Sequence, residues 1–97
     1  MSRPPSHFDY HGLHVAAPNA NAVRVDWVVP QSRAVLLRVR EHTCGCTYPM
    51  FELCAGAGLS FVRLIPSEDP DEVRESPWVR ARLARELWVQ ILTGQAR

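Results

Sequence analysis

Apolar and polar positions alternate along residues 23–29, with Val23, Val25, Trp27 and Val29 on one side and Arg24, Asp26 and Val28 on the other. A period of two predicts a strand that presents four apolar side chains to one face. Pro30-Gln31-Ser32-Arg33 predicts a hairpin loop, and residues 34–41 a return strand with Val35, Leu37 and Val39 on one face and Leu36, Arg38 and Arg40 on the other. The two are expected to pair antiparallel. A second hairpin is expected from residues 48–54 and 59–65 around Ala55-Gly56-Ala57-Gly58, with glycines 56 and 58 supplying positive φ. It turns Phe51, Leu53, Val62 and Leu64 inward and lets Glu52 approach Arg63 outside. Residues 13–17 offer one more short strand, ended by the turn-forming run Pro18-Asn19-Ala20-Asn21.

After residue 75 the period changes. Ser76-Pro77 provides a cap residue followed by proline at the first helical position, and Gly94 provides the closing glycine, so a helix is expected between them. At about 100° per residue, Val79, Ala81, Leu83, Ala84, Leu87, Trp88, Ile91 and Leu92 sweep more than half of its circumference, wider than the stripe one sheet covers. Either the N-terminal segment wraps the helix as well, or a second chain covers the remainder. Val79, Leu83 and Leu87 are assigned to the sheet. Trp88 and Leu92, with Ala81 beside them and Arg85 at the rim beside an acid of the 68–75 loop, form the expected interface, and a symmetric homodimer is the expected assembly.

The fold class that follows is α+β, an antiparallel sheet of four to five strands in two hairpins packed against one C-terminal helix. Residues 1–11, with Pro4, Pro5 and no period to bury, read as a flexible arm, and 12–97 as a single domain. The acid-rich stretch 66–75 reads as a solvated loop.

Composition changes little in this picture. Net charge is +1, all eleven basic residues are arginine, and no clustered basic stripe argues for direct contact with nucleic acid. Arginine without lysine, beside abundant Ala, Val and Pro, reads as the product of a GC-rich, actinobacterial genome. No apolar run has signal-peptide or membrane-span length, so the expected compartment is the cytoplasm. Three cysteines argue against a disulfide framework there.

The most distinctive chemistry is His42-Thr43-Cys44-Gly45-Cys46, with Cys54 eight residues on. On an extended segment 42, 44 and 46 point one way, and Cys54 returns across the hairpin. Four soft donors would suit tetrahedral Zn²⁺, although paired C-x₂-C knuckles are missing. The favoured reading has no metal and no cofactor: the thiols are small residues at a strand end, and replacing Cys44 and Cys46 with serine costs little. His7, His11 and His14 read as part of a polar arm. No nucleophile elbow, phosphate loop, dinucleotide glycine pattern or H-E-x-x-H is present, so no catalytic residue is assigned. An enzyme site would have to be assembled across subunits.

Over roughly residues 44–92, the order Phe51-Glu52-Leu53-Cys54-Ala55, the strand at 59–63, Asp69-Pro70, and Ser76-Pro77 with Trp78 resembles the small actinobacterial regulators of the BldB type. That resemblance implies a non-enzymatic regulator of development and transcription that self-associates and works with DNA-binding partners.

Overall fold

The computed structural model describes residues 13–31, 33 and 35–97; the arm expected over residues 1–11 lies outside them. The centre of the molecule is the hairpin of β2 (Met50–Gly56) and β3 (Leu59–Ile65). Its register is the expected one, with Phe51 opposite Leu64, Leu53 opposite Val62 and Glu52 opposite Arg63. The turn is tighter than expected. Only Ala57 and Gly58 lie outside the ladder, with φ of 51° and 77°. Two successive positive φ values define the turn whose twist matches a hairpin, so an alanine stands where asparagine or glycine is usual. β1 (Arg38–His42) joins β2 antiparallel and β4 (Arg74–Glu75) joins β3, giving a four-stranded meander in the order β1-β2-β3-β4. Val39 pairs with Cys54 and Glu41 with Leu53, so Arg40 is the extra residue of a bulge.

One face of this sheet carries Phe51, Leu53 and Val62 against α1 (Ala81–Leu92), and these form one buried cluster with Ala84, Trp88, Ile91 and Ala96. The α+β architecture is therefore as expected, and two of its details are not. Ala84, Trp88 and Ile91, at i, i+4 and i+7, are the buried stripe of the helix, while Leu83, assigned to the sheet by its period, is 44% exposed. Among the described residues, the hairpin expected between 23–29 and 34–41 is not formed. Val28 bridges to Glu75 of β4 instead, and Val23 runs parallel to the C-terminal tail, with Val23 N donating to Gln95 O at 2.9 Å and Arg97 N to Val23 O at 2.8 Å. Of the four apolar side chains expected on one face of 23–29, Val25 and Trp27 pack on the core while Val23 and Val29 are exposed. A period of two marks side chains that share a side of the chain and says nothing of which backbone supplies the hydrogen bonds.

The N-terminal segment wraps the helix, which was one of the two ways to cover its wide arc. Ala16 N donates to Leu92 O at 3.0 Å, Asn19 N to Gly94 O at 2.7 Å, and Val15, Val25 and Trp27 lie on the core cluster. The close approach requires glycine at 94. Its φ is +79°, and a Cβ there would stand 2.4 Å from the carbonyl oxygen of Ala17.

The helix begins later than Ser76-Pro77 suggests. Arg80 is its first cap and makes no side-chain cap bond. Ser76 is fully buried and serves the sheet: its hydroxyl accepts from Val62 N at 2.8 Å, and its own N donates to Val62 O at 2.9 Å. Three residues on, Val79 exchanges both backbone bonds with Ser60. Replacing Ser76 with alanine leaves the buried Val62 N–H without an acceptor and is expected to cost about 1–3 kcal/mol. Denaturant unfolding checks this: the midpoint should fall at unchanged slope, and a loss below about 0.5 kcal/mol would mean the hydroxyl is not needed.

Candidate metal centre

Beyond His42 the strand does not continue. Thr43 is buried and locked to β2, with Thr43 N donating to Phe51 O and Phe51 N donating to the Thr43 hydroxyl, each at 2.9 Å. A turn follows over Gly45 and Cys46, so the alternation that would have aligned 42, 44 and 46 ends at this point. The turn folds Cys46 back until its N–H lies 3.4 Å from the Cys44 sulfur. Gly45 is not needed for its backbone freedom: its φ is not positive, and a Cβ would meet only the Met50 sulfur at an ordinary 3.6 Å.

A second segment completes the cluster. Cys44 N donates to Leu13 O at 2.7 Å, and Leu13 forms a parallel bridge with Thr43. Residue 14 is thereby drawn beside the turn, and His14 Nε2 lies 3.9 Å from Cys46 Sγ. The donor atoms of His14, Cys44 and Cys46 all fall within 4.8 Å of one another. Around a tetrahedral Zn²⁺, with bonds of about 2.3 Å to sulfur and about 2.0 Å to nitrogen, neighbouring donors stand roughly 3.6–3.8 Å apart. Cys44 is buried while His14 and Cys46 are exposed, so the group is open to solvent on one side.

Of the four donors expected from the sequence, the structure brings together Cys44 and Cys46 and separates the other two. His42 Nδ1 donates to the carbonyl of Thr43 at 3.0 Å, and its Cα pairs with Glu52 of β2. Cys54 is fully buried beneath the sheet, where its thiol donates to Glu52 O at 3.9 Å and burial pushes its pKa up to about 11. A thiol that hard to ionise, enclosed in a sheet, is packing material. The Cys46 thiol is raised as well, through its hydrogen bond with Cys44 first and then by desolvation and the Cys44 charge. His14 was assigned to an incidental arm; its part in the group follows from tertiary pairing with the strand end, which no local spacing reveals.

The residues expected at an interface are placed differently. Trp88 is 1% exposed and lies in the core, so it is not an open patch. Leu92 packs on the same core, half-buried, and Ala81 is exposed at the first turn of α1. Arg85 pairs within the chain, 2.6 Å from Glu41, instead of with an acid of residues 68–75.

On the sheet face away from α1, His42, Glu52, Arg63 and Glu75 form a row, one per strand. Arg63 bonds Glu52 at 2.9 Å, and the buried Glu75 accepts from the Trp78 indole at 3.1 Å, whose ring stacks on Phe61 at 4.4 Å. These contacts satisfy one another and read as the structural lining of that face.

No helix among the described residues is long and apolar enough to cross a membrane. No protein-family model, curated protein or solved structure matches the chain.

Proposed function

We propose that the protein is a small non-enzymatic regulatory or adaptor module that carries one soft transition-metal ion, Zn²⁺ foremost, on His14, Cys44 and Cys46. The observation that carries the metal reading is the convergence of one imidazole and two thiols from segments thirty residues apart within 4.8 Å. Two thiolates and an imidazole are the donor set that borderline-soft ions prefer, and water or a further residue completes a tetrahedron. An ion there would tie the segment at Leu13-His14 to the end of β1, and thereby hold the wrapping of α1 in place.

The regulatory half rests on the resemblance to BldB-type proteins, which suggests a DNA-binding protein as the partner. The cytoplasm suits such a site, because thiols stay reduced there and available as ligands.

Metal content of single variants tests the ligand set. His14→Ala, Cys44→Ser and Cys46→Ser should each lose the bound ion or weaken its binding at least tenfold. His42→Ala and Cys54→Ser should keep it. Retention in His14→Ala, with loss in His42→Ala and Cys54→Ser as well as in the two thiol variants, would return the site to the grouping read from the sequence.

A further inference from the structure

At the end of the sheet where β2 turns into β3, two adjoining clefts of about 510 and 260 Å³ share Arg40, Ala55, Gly56 and Gly58. Their floor is open because its residues are small. Gly56 must stay so, since a Cβ would stand 2.7 Å from the Leu37 side chain. The walls are cationic: Arg38 and Arg40 come from β1 and Arg85 from α1. Arg85 is answered by Glu41 at 2.6 Å, while Arg38 and Arg40 are exposed and make no ion pair among the described residues. The bulge at Arg40 sets this arginine at the junction of the two clefts.

The opposite end of β3 carries the complementary charge. Glu68, Asp69, Asp71 and Glu72 are all exposed, and none makes an ion pair among the described residues. Their backbone is preformed as a 3₁₀ turn over Pro70–Glu72, capped by Asp69, whose carboxylate accepts from Asp71 N at 2.9 Å. A chain of net charge +1 thus holds an unanswered basic cleft and an unanswered acidic knob, separated by the seven residues of β3, or about 20 Å of strand.

We propose that the cleft lined by Arg38, Arg40 and Arg85 receives the acidic turn Glu68–Glu72 of a second copy of this chain. Two copies laid antiparallel place each turn at the other's cleft, so a two-fold pair makes the contact twice and closes on itself. The surface is separate from the metal centre, and it replaces the buried Trp88 as the route to association. Being electrostatic and solvent-exposed, it weakens as salt rises.

Sedimentation velocity on the full chain tests this with a charge exchange. Wild type should associate at low salt and dissociate at high salt. Arg38→Glu/Arg40→Glu, with cleft and turn both acidic, and Glu68→Arg/Asp71→Arg/Glu72→Arg, with both basic, should each self-associate at least about a hundredfold more weakly while keeping the wild-type circular dichroism. Mixed together, the two variants should form a heteromeric pair, because each cleft then meets a turn of opposite sign. A wild type that stays monomeric at high concentration and low salt would overturn the proposal, as would variants that associate like wild type or a mixture that stays monomeric. A variant that fails to fold is replaced by the neutral Arg38→Gln/Arg40→Gln or Asp71→Asn/Glu72→Gln, which must weaken association in the same direction.

Discussion

Replacing Trp88 with alanine is expected to cost about 3–5 kcal/mol, the ordinary range for removing a large buried aromatic side chain, and Trp88→Asp is expected to abolish the fold. Trp88 is held between the sheet residues Phe51, Leu53 and Val62 and the wrapping segment that brings Val15, Val25 and Trp27 onto the same cluster. With native stability of small domains near 5–15 kcal/mol, that loss takes most of what a chain this size has. The indole nitrogen of Trp88 is buried and has no hydrogen-bond partner among the described residues. Trp88→Phe is therefore expected to be milder than Trp88→Ala, since it removes an unsatisfied donor along with some volume. Urea unfolding followed by circular dichroism ranks the three. A Trp88→Asp protein with native dichroism and a smaller sedimentation coefficient would instead restore the interface role the sequence pattern suggested.

The second large effect is the dependence of stability on metal. Free Zn²⁺ at a thousandfold above its dissociation constant should add about 4 kcal/mol, which at about 4–8 °C per kcal/mol raises the Tm by roughly 20 °C. The gain should shrink as pH falls, because the ion binds thiolates and must displace their protons. Cys46, whose thiol is raised by its bond to Cys44, makes that competition felt above neutrality, so binding strengthens as pH rises. The variant Cys44→Ser/Cys46→Ser should show no metal-dependent shift, and in metal-free buffer it should cost only about 0.5–1 kcal/mol, at the low end for single-site changes, because the helix core lies elsewhere. Thermal melts with and without Zn²⁺ over a pH series check all three statements. A double variant stabilised by Zn²⁺ as much as wild type would remove these thiols from the site.

The β2–β3 hairpin was legible because both its faces are specified at once: apolar pairs on one side and the Glu52–Arg63 pair on the other allow a single register. The helix and its closing Gly94 were legible for similar local reasons. Residues 23–29 show where such reading stops. Their alternation found Val25 and Trp27 but gave the same face to the exposed Val23 and Val29, and their backbone partners are a two-residue strand and residues 95–97, chosen by packing around α1. Ser76-Pro77 carried a helix-start signal, yet its hydroxyl is worth more to a buried strand amide than to an exposed helix end. Within the candidate metal centre the pair Cys44 and Cys46 was visible as a motif. His14 was not, because it reaches them only through the parallel bridge of Leu13 to Thr43.

Whether His14, Cys44 and Cys46 hold an ion is decided by elemental analysis of protein purified under reducing conditions without added metal. One zinc or other soft transition-metal ion per chain is expected, retained through gel filtration and removed by a strong chelator with loss of thermal stability. Protein that is metal-free as isolated, takes up no stoichiometric ion when Zn²⁺ is supplied, and melts at the same temperature with and without chelator would contradict the metal site.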